Sequence, residues 1–289
     1  MSTPPQHTPL DLARDAVCHG LVVEASAGTG KTYSVAALVT RELALRDDLR
    51  IGQVLITTFT RNAAAELRDR VRRRLVDTIA LLASGADAAG DVIIERLREG
   101  TADEVAQRIA RLERALAEFD TATISTIHGV CSRVLRAAGL EAAAVVDESA
   151  SQRVLAEVVN DVVVSHARTT SRWDERRIAP LVAKLLEDPF LEPWIDRNTS
   201  SLDDAARSRL DELPALLREC VRRIQAATAT QPGYTDLLRI AHELVSDEKR
   251  GDLLLALMQR FQLAIVDEAQ DTDRLQWAFF KKLFPGGDG

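Results

Sequence analysis

Cysteine is scarce in this chain. Cys18, Cys131 and Cys220 lie far apart with no paired spacing, which excludes a disulfide framework and a cysteine zinc site. Three buried or half-buried thiols in a reducing cytoplasm are the expectation. Positive charge is also in deficit: 37 Lys+Arg stand against 44 Asp+Glu, a formal net charge of −7. A protein that coats DNA by bulk charge is thereby excluded, so any nucleic-acid contact has to be local. No apolar run comes near the roughly 18 residues of a membrane span, the longest candidate being Leu253 to Met258. The start, Met1 to Asp11, is polar and proline-rich, without a basic stretch leading into an apolar block. A cytoplasmic protein with no membrane partner is expected. Internal repeats, heptads and low-complexity tracts are missing too. What remains, 46% hydrophobic and 28% charged residues, is the profile of a globular chain able to bury a real core.

Four short apolar runs rich in branched residues read as buried parallel strands: Leu21-Val22-Val23, Val54-Leu55-Ile56-Thr57, Ala122-Thr123-Ile124-Ser125 and Leu263-Ala264-Ile265-Val266. Each precedes a turn or a helix-like stretch, the alternation of an α/β layer. Ala63 to Leu82 and Ala102 to Glu118 carry helical spacing, with a loop at Ser84 to Asp91. From about Ser132 to Gln262 no strand is expected, only helices with boundaries at Pro180, Pro189, Pro193, Pro214 and Pro232. The domain reading is an α/β domain over 1–140, a helical insertion over 141–230, and the return of the α/β domain over 231–289.

The sharpest local signal follows the first run: Ala25-Ser26-Ala27-Gly28-Thr29-Gly30-Lys31-Thr32. Small residues let successive backbone N–H groups close around phosphate oxygens, a lysine reaches the β- and γ-phosphates, and a hydroxyl ligates Mg²⁺. The helix starting there adds its N-terminal dipole. Ala25 stands where the strict pattern has its first glycine. The last run ends in Asp267-Glu268-Ala269-Gln270-Asp271. Beside a phosphate loop, Asp267 suits Mg²⁺ and Glu268 suits polarising an attacking water. ATP and Mg²⁺ are the cofactors this pairing predicts.

Motif order then carries a resemblance. Asp267-Glu268-Ala269-Gln270 resembles motif II of the UvrD/Rep group of superfamily 1 helicases. Thr58-Phe59-Thr60-Arg61-Asn62-Ala63 through Arg68 resembles motif Ia, and Thr126-Ile127-His128-Gly129 resembles motif Ib. Within the group, the phosphate loop and Thr123 to Gly129 are most similar to the RecB branch. The AddA branch is the near alternative, because Ala269 is not the aromatic residue expected of RecB. The resemblance implies a RecA-like P-loop sheet with an inserted all-helical subdomain, and ATP-driven 3′-to-5′ movement on single-stranded DNA. It further implies partner subunits in a RecBCD-like or AddAB-like complex. It puts Tyr33 near the adenine, Arg68 and Gln270 near the nucleotide, and Phe59, Thr60, Arg61, Asn62, Thr126 and His128 on DNA. Phe59 fits a core position at a strand end as well, and His128 a helix cap. Arg70, Arg72, Arg73 and Arg74 read as a solvated helix face.

The residues end shortly after motif II, before a motif III or a second RecA-like domain with its arginines. On that resemblance this chain alone is expected to turn ATP over slowly or not at all, with one sheet surface left uncovered. A UvrD-like helicase and a regulatory P-loop ATPase that never moves on DNA are the other readings.

Overall fold

A computed structural model describes residues 10–17, 21–23, 30–140, 148–167, 173–193, 203–229 and 232–285. Five helices and two strands come first: α1 (Lys31–Leu45), β1 (Val54–Thr58), α2 (Arg61–Ser84), α3 (Val92–Arg98), α4 (Ala102–Ala117), β2 (Thr123–Thr126) and α5 (Ile127–Ala137). Six more helices and a strand follow: α6 (Glu148–Ala167), α7 (Glu175–Glu187), α8 (Asp204–Thr228), α9 (Tyr234–Ser246), α10 (Gly251–Arg260), β3 (Leu263–Val266) and α11 (Arg274–Leu283). The chain divides into two compact units. One takes Met1–Val130, Leu254–Asp271 and Leu283–Gly289; the other takes Cys131–Leu253 and Thr272–Lys282.

The first unit is built on a three-stranded parallel sheet in the order β2-β1-β3. Its middle strand β1 is buried along its whole length, which is why Val54 to Thr57 shows no polar alternation. Ile56 pairs with Ile124 on one side and Ile265 on the other. Leu43 of α1, Leu67, Val71 and Leu75 of α2, Ile93 and Leu97 of α3 and Leu112 of α4 close over this sheet in one core. Local chemistry fixes the helix ends. Thr60 caps α2 by accepting from the Ala63 N–H, and α2 stops at Gly85 in the left-handed conformation. Thr101 and Glu104 form a capping box at the start of α4. Buried Arg41 donates to the carbonyls of Leu12 and Asp15, tying the early segment to α1.

Three of the four expected strands are present and parallel. Leu21-Val22-Val23 corrects the fourth: it lies outside any strand and is 39%, 67% and 46% exposed. An apolar run supplies propensity only, and a strand needs a ladder partner, which this run does not have among the described residues. Helix α3 was not foreseen between the two long helices.

The second unit is all helical among its described residues. Val159, Val162 and Val163 of α6, Ile178 and Val182 of α7, and Leu216, Leu217 and Cys220 of α8 make its core. Here the prolines overturn an expectation. Pro180 sits inside α7 and Pro214 inside α8 rather than at helix ends. Each lacks the N–H that would bond the carbonyl four residues back, at a cost of about 3 kcal/mol in an isolated helix. Burial of the adjoining apolar faces offsets it. Pro189 does follow the end of α7, and Pro232 precedes the Gly233 cap of α9.

Cys131 and Cys220 are free and buried, and Cys18 lies outside the described residues. Burial pushes the Cys131 thiol up to about 12; burial and then the Glu219 charge push Cys220 up to about 11. Both should resist iodoacetamide at pH 8 in the native protein and react fully in guanidinium, read by peptide mass spectrometry. Rapid native labelling of either would contradict the packing described.

Candidate functional site

Parallel strands end on one edge, so their following loops are neighbours. Here β2 leads into Thr126–His128, β1 into Phe59–Asn62 and β3 into Asp267-Glu268, in that spatial order. The Thr58–Thr126 register sets the first two loops side by side, and the Asp267 N–H donates to the Thr57 carbonyl, extending the ladder to the acidic pair.

Lys31 opens α1 after Gly30, whose φ of +87° is the left-handed conformation that glycine adopts without strain. Its Nζ lies 3.4 Å from Glu268 Oε2, joining residues 237 positions apart in the chain. Glu268 itself has φ +55°, an uncommon backbone for a non-glycine residue and a cost of about 1–3 kcal/mol that clusters at functional sites. The Gln270 side-chain amide donates to the same Glu268 oxygen, and Asp267 accepts from the Glu268 N–H. The two carboxyls are driven apart. The Gln270 bond, then the Lys31 bond and charge, hold Glu268 below the usual carboxylate range. Burial, then the neighbouring Glu268, pushes Asp267 up. A half-buried carboxylate beside another carboxylate is a place where a cation relieves electrostatic cost.

Tyr33 follows two residues later and is 44% exposed. Its hydroxyl donates to Asp91 Oδ2 at 3.0 Å, and the Arg74 guanidinium lies over the ring, 5.3 Å from the centroid. Thr32 is half-buried on the same helical turn. Ala25, Ser26, Ala27, Gly28 and Thr29 lie outside the described residues.

Phe59 is 46% exposed, so the core alternative for it falls, and Arg61 and Asn62 are exposed beside it. The hydroxyls of Thr60 and Thr126 are engaged locally, accepting from Ala63 N–H and Gly129 N–H. His128 is half-buried in the first turn of α5. Arg68 departs from expectation. Its guanidinium donates to the carbonyls of Phe119 and Ala122, just before β2 begins. That is the opposite end of the strands from Glu268, because α2 runs back along the sheet. The planar fork finds two carbonyls and the Phe119 ring there, and stays. Arg74, read as a solvated residue, instead holds Asp91 through both nitrogens with its side chain only 13% exposed. Gly90-Asp91 ahead of Val92-Ile93-Ile94 was the available signal, an N-cap before an apolar run.

Fold and candidate site together define a protein with a small parallel sheet whose strand-end acidic pair faces a lysine at a helix N-terminus. The family model for the UvrD/REP helicase N-terminal domain matches residues 11–288, and the chain belongs to that family. Similar relatives include the RecBCD enzyme subunit RecB of Mycobacterium tuberculosis, 35% identical over 271 residues, covering 91% of this chain and 24% of the relative. The RecBCD enzyme subunit RecB of Escherichia coli is 37% identical over 181 residues, 60% of this chain and 14% of the relative. The ATP-dependent DNA helicase UvrD1 of Mycobacterium bovis is 28% identical over 282 residues, 93% of this chain and 29% of the relative. The chain thus spans about a quarter of the length of most of these relatives.

Among the described residues, no group of three or more His, Cys, Asp or Glu could hold a metal, and no helix is long and apolar enough to cross a membrane.

Proposed function

We propose that this chain is the ATP-binding part of a 3′-to-5′ DNA helicase or translocase of the RecB type, acting in double-strand break repair and recombination. The observation that supports it is the Lys31–Glu268 pair, which brings the start of α1 and the end of β3 together across most of the sequence, as a nucleotide site requires. Family membership supplies the helicase class. In this reading 1–140 and 231–289 carry the RecA-like part and 141–230 an inserted helical subdomain, although 131–140, 231–253 and 272–282 group with the helical unit rather than with the sheet. Single-stranded DNA is the polymer partner, and the other subunits of a RecBCD-like or AddAB-like complex are the protein partners.

The residues present fit ATP with Mg²⁺. Magnesium is usually bound through one or two carboxylates completed by substrate phosphates, and half-buried Asp267 beside Glu268 is a donor set of that kind. Thr32 and Asp267 would hold the ion, which when bound neutralises phosphate charge. Ala25 to Gly30 would wrap the phosphates with backbone N–H groups, and Lys31 would leave Glu268 for them. Glu268, released from Lys31, would accept a proton from water. Gln270 keeps that carboxylate aimed. On the same edge, the Phe59 ring offers a stacking surface, with Thr60, Arg61, Asn62, Thr126 and His128 for the DNA backbone.

Linkage tests this function. Mg·ATP should change the chain's affinity for a single-stranded oligonucleotide, and the oligonucleotide should change Mg·ATP affinity by the same factor, about 5-fold or more. Fluorescence anisotropy with labelled DNA and calorimetry with ATP measure the two arms. ATP binding indifferent to DNA would leave a regulatory ATPase and sink the motor assignment.

A further inference from the structure

Asp91 is used more heavily than an N-cap requires. Its Oδ1 accepts from the N–H groups of Ile93 and Ile94 and from Arg74, while Oδ2 takes the second Arg74 nitrogen and the Tyr33 hydroxyl. One carboxylate thereby joins α1, α2 and α3. The turn that delivers it is conformationally specified, since Ala89 and Gly90 both have positive φ. Although burial alone pushes the Asp91 carboxyl up, the bonds from Arg74 and the Ile94 N–H outweigh it and hold it low. A carboxylate kept ionised and bound by a bidentate arginine is a rigid anchor.

What it anchors is the Tyr33 ring. Arg74 covers one face, the hydroxyl is committed to Asp91, and the residue is still 44% exposed. A flat side chain held on one side and open on the other is a stacking platform with little ordering cost left. It directly follows Lys31 and Thr32 in the first turn of α1.

The geometry points to Asp91 and Arg74 as positioning residues that hold Tyr33 as a preformed platform for the base of the bound nucleotide. They act through Tyr33 and touch neither phosphate nor metal. This inference rests on the nucleotide-binding reading above, and the experiment separates the two. Inorganic tripolyphosphate with Mg²⁺ reports the phosphate site alone, whereas ATP reports phosphate plus base.

Base–aromatic stacking is worth about 1–3 kcal/mol, so Asp91→Asn and Arg74→Ala should each weaken ATP binding by about 5-fold or more. Tripolyphosphate binding should stay within about twofold, because these residues lie off the phosphate path. Tyr33→Phe, which keeps the ring and the Arg74 stack, should fall between those variants and the parent. Circular dichroism melts check that each variant is folded; should Asp91→Asn unfold, Arg74→Lys and Tyr33→Phe carry the comparison. Equal weakening of both ligands, or of neither, overturns the inference and leaves the cluster as a helix staple. If the unsubstituted chain binds neither ligand, the nucleotide site itself is refuted and the platform falls with it.

Discussion

A Lys31→Ala variant is expected to bind Mg·ATP about 10- to 100-fold more weakly than the parent chain. Hydrogen bonds to a charged group are worth about 1.5–3 kcal/mol, and about 1.4 kcal/mol is a factor of ten. Lys31 is half-exposed and already next to Glu268, so part of its Coulomb energy is exchanged rather than gained on binding. The loss should therefore lie toward the lower end of that span in high salt. Glu268→Gln supplies the opposite sign. Removing its charge frees Lys31 and lifts an anion away from the phosphates, so Mg·ATP affinity should hold or rise. Isothermal titration of the two variants distinguishes a phosphate site from a surface ion pair. Unchanged affinity in Lys31→Ala would remove the basis for the nucleotide assignment.

The second large effect is on stability. Ile56→Ala in the middle of β1 should destabilise the sheet-bearing unit by about 2–5 kcal/mol, the range for emptying a buried aliphatic site. Ile56 is 0% exposed and flanked by Ile124 and Ile265 in the neighbouring strands, so little can collapse into the space. At about 2–4 °C of melting temperature per kcal/mol for a unit of this size, a fall of roughly 5–15 °C is expected. Val76→Ala, at a site 45% exposed on α2, should change stability by less than about 0.5 kcal/mol. Calorimetry of both variants checks the contrast. Similar melting points would mean that β1 is not the buried centre of the sheet.

Much of this molecule was legible because neighbours in sequence decide it. The runs at Val54, Thr123 and Leu263 are buried parallel strands whose apolar continuity is visible in the letters. The ends of α2 and α4 follow from Thr60 and Thr101. Lys31 and Glu268 are paired in the sequence by expected chemistry rather than proximity, and the structure brings the two side chains to 3.4 Å. What stayed hidden depends on tertiary partners. Leu21 to Val23 looks like a strand because propensity is local, while pairing is not. Arg68 and Arg74 are neighbours on one helix with opposite fates, one turned to carbonyls at the far strand ends and the other clamped to Asp91. Only three-dimensional packing tells them apart. Asp91 reads only as the end of a loop, because its Tyr33 and Arg74 partners come from α1 and α2.

Pro180 and Pro214 leave the carbonyls of Arg176 and Leu210 without their in-helix donors. A segment interrupted in this way draws its order from company rather than from its own hydrogen bonds. Peptides excised over 175–187 or 204–228 should be mostly coil in water, and amide hydrogens flanking each gap should exchange with deuterium ahead of those beside Cys220. The helical unit would then be the more pliable portion of the molecule, able to flex at two fixed points while its centre stays shut.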